Sequence, residues 1–253
     1  MPAVISSKRL MKVLLLGDSC EDEYIYGRCT RISPEAPVPI LESQRTETSK
    51  GMAWNVFKNS LAFGIETSML TNAEQIVKTR YIDEKSNYQI LRVDDEPKIK
   101  PLEEVVSNDN YDALVISDYD KGFIKQEKLF EICSTFVGPI FVDTKKNNIP
   151  ENAYVKINES EFEKVTHYDP NNLIITKGGK GAEYQGNLYP AEKVNVYDVV
   201  GAGDTFLAAL TFGFLQYGKI EEAIPLANKA AAIAVSHTGT YVLQEEDVKK
   251  ILR

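Results

Sequence analysis

The run Asp198-Val199-Val200-Gly201-Ala202-Gly203-Asp204-Thr205-Phe206 places a glycine-rich turn and an acid directly before an apolar stretch, Phe206 to Tyr217. The stretch reads as a buried helix. Small residues at its start let backbone N–H groups face a ligand, and a helix N-terminus favours negative charge. A phosphate suits that position. The Asp204 carboxylate does not bind phosphate, because like charges repel, but it is placed to take a proton from a nucleophile. An anion cradle beside a carboxylate base is the minimum equipment for phosphoryl transfer to a hydroxyl. The same residues also make an ordinary helix start, where Gly-x-Gly turns and Asp are common. The motif alone leaves both readings open.

Composition bounds what else can take part. The 253 residues suit one α/β domain spanning 1–253. With 43% hydrophobic and 26% charged residues the chain reads as soluble and globular. A net charge of −8 argues against general nucleic-acid binding, while leaving room for a local basic pocket. No run reaches the length of a membrane span, and Met1 to Lys12 lacks the apolar core and cleavage site of a leader. The three cysteines, Cys20, Cys29 and Cys133, form no CxxC pair and no disulfide framework. A cytoplasmic protein with reduced thiols is expected. Only two histidines are present, His167 and His237, so a His-rich metal site or a Ser-His-Asp triad is not expected. Acid–base chemistry falls to carboxylates.

These residues need a frame. Apolar runs at Val13–Leu16, Thr67–Leu70, Ala113–Ile116, Ile140–Val142, Tyr154–Ile157 and Leu173–Ile175 read as strands. Helical segments at Ala53–Phe63, Gln126–Phe136, Asp204–Tyr217 and Ile220–Ser236 are interspersed among them. Apolar strands separated by helices predict a mainly parallel sheet covered on both faces. Gly17-Asp18, Ser117-Asp118, Asp143, Asn158 and Thr176 each follow a strand, where open α/β sheets bind ligands. Segments 24–43 and 79–93 alternate in polarity and predict antiparallel strands outside the sheet, either a flap over the site or plain surface hairpins.

The chain resembles the ribokinase-type (phosphofructokinase-B) carbohydrate kinases from about Lys12 to Thr240. The signature is Asp198 to Asp204, joined by Gly17-Asp18…Asp22…Tyr24…Gly27 and the string Arg31-Ile32-Ser33-Pro34-Glu35-Ala36-Pro37-Val38-Pro39. Asp118-Tyr119-x-Lys121-Gly122, Val142-Asp143-x-Lys145 and Asn158-x-x-Glu161 also match. The resemblance implies a three-layer α/β/α sandwich with a small β lid. Within the family the nearest group phosphorylates D-glycero-D-manno-heptose 7-phosphate at O1, which implies that sugar phosphate and ATP as substrates, with Mg2+. It further implies Asp204 as base, with Gly201, Ala202 and Gly203 as the anion hole. Asn158 and Glu161 would organise magnesium, Glu161 through water. Asn158, Thr176, Gly178, Gly181 and Asn228 would lie at the nucleotide, and Asp18, Asp22, Arg31, Gly51, Asn55, Asp118 and Lys121 at the sugar. A homodimer closed through the lid is also implied.

The residue chemistry agrees in part. Asp22 can accept from sugar hydroxyls, and Asn55 can both donate and accept. Arg31 and Lys50 suit a sugar phosphate, or are solvated charges. Departures from the family pattern are Met52 and Trp54, where small residues are usual, and a direct passage from Thr71-Asn72 to Lys78-Thr79-Arg80 that omits one helix and one strand. Met52 is expected to fill part of the sugar pocket, so another sugar substrate stays open, as does a catalytically weak binding relative. The chain ends at Arg253, and the nucleotidyltransferase domain that some heptose enzymes carry is expected to be absent. Lys177-Gly178-Gly179-Lys180-Gly181 lacks phosphate-loop spacing and reads as a turn into a short strand, Ala182–Gln185. A dinucleotide oxidoreductase is disfavoured, since no Gly-x-Gly-x-x-Gly follows the first strand.

Overall fold

A computed structural model describes residues 10–106 and 110–253. The leaderless stretch expected at the N-terminus lies, up to Arg9, outside the described residues. In chain order the elements are β1 (Lys12–Gly17), β2 (Ser19–Ile32), β3 (Pro39–Met52), α1 (Ala53–Ala62), β4 (Glu66–Thr71), β5 (Ile76–Asp83) and β6 (Tyr88–Asp95). They continue with β7 (Ala113–Asp118), α2 (Gln126–Thr135), β8 (Ile140–Thr144), β9 (Tyr154–Asn158), α3 (Glu159–Phe162) and β10 (Leu173–Thr176). The last are β11 (Ala182–Tyr184), β12 (Asn187–Tyr189), α4 (Ala202–Tyr217), α5 (Ile220–Val235) and α6 (Glu245–Ile251).

The main sheet has the order β12-β11-β10-β9-β8-β7-β1-β4. From β10 across to β4 the strands pair in parallel, and β11 and β12 add antiparallel strands at one edge. One buried cluster joins α1, α4, α5 and α6 to one face of the sheet, with Phe63 stacked on Phe212 at 4.9 Å. A second cluster packs α2 on the other face. Each large apolar side chain so buried contributes about 1.5–3 kcal/mol. Helix α4 is apolar on all sides and buried from Asp204 to Gly213, as a helix enclosed between layers must be. No helix among the described residues is long and apolar enough to cross a membrane.

The sheet order reverses between β1 and β7, and the crevice above their carboxyl ends is where such sheets bind ligands. Asp18 and Asp118 sit at that point, and Asp143, Asn158 and Thr176 follow along the same edge.

The flap is a four-stranded sheet ordered β3-β2-β5-β6. It corrects the expectation of antiparallel strands. Pairs β2–β3 and β5–β6 are antiparallel, but β2 and β5 are parallel. The reason lies in the main sheet. Neighbouring parallel strands β1 and β4 each run on into the flap, β1 through Asp18 and β4 through residues 72–75, so their continuations must also run side by side in one direction. Those crossings are tied together. Asn72 accepts the Ser19 N–H on Oδ1 at 2.7 Å and donates to the Ser19 carbonyl at 3.1 Å. The short passage after Thr71 leaves β4 as the edge of the sheet.

Candidate active site

Helix α4 begins at Gly201, which has φ +78 and a left-handed conformation. A Cβ there would also lie 2.5 Å from Asn55 Nδ2, so only glycine fits. Asp198 fastens the approach to this turn: Oδ1 accepts the Val200 N–H at 3.0 Å and Oδ2 the Gly239 N–H at 3.0 Å. The Ala202 N–H is taken by the Val199 carbonyl at 3.3 Å, and the Thr205 N–H by that of Gly201 at 3.0 Å. Among the described residues the Gly203 N–H has no such backbone acceptor, which leaves it free to meet an anion.

Asp204 is buried in the first turn of α4. The Tyr119 hydroxyl donates to its Oδ1 at 2.8 Å and Asn55 Nδ2 to its Oδ2 at 3.2 Å. Burial, joined by the charge of Asp143, pushes the Asp204 carboxyl up to about 6, while Tyr119, Lys156 and Asn55 pull the other way. A carboxyl poised there is ionised at neutral pH yet basic enough to accept a proton. Lys156, on β9, forms a buried ion pair with Asp143 of β8. Its Nζ lies 2.9 Å from where a Cβ on Gly203 would stand, so a positive charge sits directly against the anion turn.

The turn opens onto a cavity of about 570 Å3. Gly201, Ala202 and Gly203 line it together with the expected nucleotide residues Asn158, Thr176, Gly178, Gly181 and Asn228. Lys177 to Gly181 is a tight turn leading into β11, as its composition predicts. Three of these side chains are engaged within the protein, the Thr176 hydroxyl by donating to the Ile157 carbonyl at 3.2 Å. Asn228 Nδ2 donates to the carbonyls of Tyr189 at 2.8 Å and Pro190 at 3.3 Å, so it braces the pocket wall. Asn158 caps α3: its Oδ1 accepts the Glu161 N–H at 2.9 Å, and Glu161 Oε2 accepts the Asn158 N–H at 2.9 Å. The second Glu161 oxygen pairs with Lys145.

The expected sugar residues divide. Asp22 is buried on β2 and pairs with Arg80 Nη1 of β5 at 2.6 Å. Gly51 lies opposite, where a Cβ would stand 2.2 Å from Asp22 Oδ2. Asn55 is fully buried, and its amide is committed to Gly201 O, Asp204 and Asn59. It therefore braces Asp204 and the glycine turn rather than offering free groups to a ligand. Asp18 is likewise fully buried: its carboxylate accepts the N–H groups of Tyr119, Lys121 and Phe123 at 2.8, 3.2 and 3.4 Å. It organises the loop after β7. Asp118 is held beneath that loop by Lys146 Nζ at 2.8 and 3.0 Å and by Thr144 Oγ1 at 2.6 Å. Lys121 pairs with Glu96 at 2.5 Å. Arg31 stands exposed near the far end of β2, with Glu42 at 3.7 Å.

The two departures point away from this space. Met52 has φ +56, the strained backbone a glycine would relieve, but its side chain is buried in the second core cluster beside Cys20 and Ile76. The expectation that it fills the sugar pocket is corrected. Trp54 packs edge-on against Phe57 at 5.3 Å with Lys50 over its ring at 4.2 Å, lining a separate recess with Asn72 and Gln75. Three residues escaped the sequence reading of the site. Arg80 carries no motif. Tyr119 lies inside a matched motif that assigns it no role. Lys156 had a signal, a lone lysine within a strand that is otherwise apolar.

Residues 125–247 match the pfkB family carbohydrate kinase description. The bifunctional protein HldE of a Nitratiruptor species is 30% identical over 301 residues, covering 96% of this chain and 65% of that protein. HldE of Pasteurella multocida is 29% identical, covering 95% of this chain and 63% of that protein. The chain thus spans somewhat less than two thirds of the length of these relatives. Among solved structures, ribokinase from Thermotoga maritima superposes with a TM-score of 0.70 at 16% identity, covering 96% of this chain and 99% of that one. Arabidopsis thaliana ribokinase complexed with ribose and ATP gives 0.71 at 14% identity, with the same coverage. These likenesses bear on the fold, which is ribokinase-like: a mainly parallel sheet between helices, with a second small sheet. With the family match over residues 125–247 and the relatives along nearly its whole length, the chain is related to the pfkB carbohydrate kinases.

Proposed function

We propose that the chain transfers the γ-phosphoryl group of ATP to O1 of D-glycero-D-manno-heptose 7-phosphate, with Asp204 as general base. The observation that carries this is the buried Asp204 carboxyl, its pKa lifted to about 6, in the first turn of the helix whose glycine turn lines the 570 Å3 cavity. In the reaction Asp204 takes the O1 proton while the Gly203 amide and Lys156 oppose the charge on the moving phosphoryl group. The choice of an anionic sugar is supported by β5. Lys78 and Arg80 share one face of that strand, Lys78 over the Tyr119 ring at 5.8 Å and Arg80 over the Tyr24 ring at 5.2 Å.

Among the described residues no three acidic, histidine or cysteine side chains cluster as a ready-made metal cage. Magnesium keeps its waters and uses one or two carboxylates plus substrate phosphates, and the partly buried Glu161 carboxylate beside cavity-lining Asn158 offers one such group. Glu161, with Asn158, would hold it through water. When bound, the ion neutralises phosphate charge.

The test is ADP release with ATP and magnesium across heptose 7-phosphate, ribose, fructose and fructose phosphates. The highest kcat/KM is expected for heptose 7-phosphate; a tenfold preference for another sugar would overturn the substrate. Asp22→Ala should raise the KM for the sugar about 10–100-fold, the range of one or two hydrogen bonds to a charged group, with ATP affinity within threefold. Calorimetry showing the reverse pattern would exchange the two subsites. The lid is proposed to pair with a second copy in the cytoplasm. Its edge strand β6 exposes Tyr88, Leu91 and Val93, and open edges of this kind need covering. Light scattering should give twice the monomer mass, and a monomer at high concentration would rule this out.

A further inference from the structure

We propose that Tyr119 is a positioning residue for the base: its phenol fixes the rotation of the Asp204 carboxylate and holds it in the ionised, proton-accepting form. The inference rests on the reading of Asp204 as base.

Its footing is geometric. The Tyr119 hydroxyl meets Asp204 Oδ1 at 2.8 Å, and Asn55 meets the other oxygen at 3.2 Å, so the carboxylate is gripped at both ends. The phenol is itself held. Its backbone N–H is fastened to buried Asp18 at 2.8 Å, and two more N–H groups of the same loop reach that carboxylate. Lys78 and Lys145 stand over its ring at 5.8 and 5.4 Å. A continuous chain of contacts therefore runs from the end of β1 to the base: Asp18, the loop after β7, the phenol and Asp204. The charged and titratable groups facing Asp204 from the surrounding elements are Asp143 on β8, Lys145 after it, Lys156 on β9 and Cys20 on β2.

A hydrogen bond donated to a carboxylate favours its ionised form. Tyr119 can donate without losing its proton, because burial and the adjacent Asp204 charge push the phenol well above its ordinary range. The transferred proton thus passes from the sugar hydroxyl to Asp204, with Tyr119 as a fixed donor throughout.

The experiment compares wild type with Tyr119→Phe, which keeps the ring and removes only the donor. Carbon-13 NMR of aspartate-labelled protein, with no substrate added, follows the titration of Asp204, assigned by its loss in Asp204→Asn. The midpoint is expected to rise by about half a unit to one unit in the phenylalanine variant. Substituting 3-fluorotyrosine, a stronger donor, should move it the other way. In ADP-release kinetics the variant should lose about 2–6-fold in kcat at pH 6, as the lower ionised fraction requires, come close to wild type at pH 9, and keep its KM for ATP within threefold. An unchanged midpoint, or a loss of kcat that is the same at all pH values, would overturn the proposal. Wild type that releases no ADP with any sugar, while the midpoint still shifts, would defeat the kinase reading and leave the positioning role standing.

Discussion

Asp204→Asn is expected to cut turnover by about 10²–10⁴-fold, the usual contribution of a general base, while nucleotide binding stays within a few-fold. The amide keeps the shape of the side chain but cannot take a proton. A variant retaining a third of wild-type turnover would exclude Asp204 as base. The wild-type pH profile carries a matching signature. With the carboxyl at about 6, activity should rise as pH passes upward through that value. Stability should move in the opposite sense. The folded carboxyl titrates above its unfolded value of 3.8, so the fold binds the proton more tightly, and this group's favourable contribution is lost between pH 4 and 6. Asp204→Asn should then stabilise the protein at pH 8 by on the order of 1–3 kcal/mol and have little effect at pH 4. Urea denaturation at the two pH values measures the difference, and equal effects would show that burial does not penalise the charge.

Lys156→Met should be costly in a different way. Lys156 and Asp143 are a buried pair, and Asp143 Oδ1 has no hydrogen-bond partner among the described residues. Removing the ammonium strands a carboxylate inside the protein, typically at about 3–5 kcal/mol. The Asp143→Asn, Lys156→Met double variant should regain much of this, since the remaining group is uncharged. Activity should fall too. Lys156 pulls the Asp204 carboxyl down, so its loss should move the acid limb of the pH profile upward. Denaturation showing less than about 1 kcal/mol would mean that water reaches the pair.

The main sheet was legible because its parallel strands are covered on both faces and so read as unbroken apolar runs. Val13–Leu16 and Ala113–Ile116 lie inside β1 and β7 within one or two residues. The lid was legible only in outline. Strand β3 is largely exposed between Glu42 and Lys50, so its polar sequence carries no burial signal and its ladder with β2 alone makes it a strand. In the site, residue type predicted location better than it predicted partners. The polar residues at the strand ends do gather along one edge. Asp18, Asp118 and Asn55 nevertheless spend their groups on loops, on Lys146 and on Asp204, because a buried polar group must be satisfied by whatever the fold brings near it. Those neighbours come from distant parts of the chain, and no local pattern encodes them.

The contact between Asn55 and Asp204 has a bearing on how the chain reaches this state. It joins residues separated by 149 positions, and the adjoining contact from Leu243 N–H to Asn59, at 3.0 Å, spans 184. Closing a loop of that size costs about 4 kcal/mol of chain entropy before any reward is collected. During synthesis, then, the lid and helix α1 are made long before the turn they must hold. The site proposed here is complete only once α4 packs against α1. A nascent chain that ends before α4 carries the lid and α1 but lacks the glycine turn and Asp204.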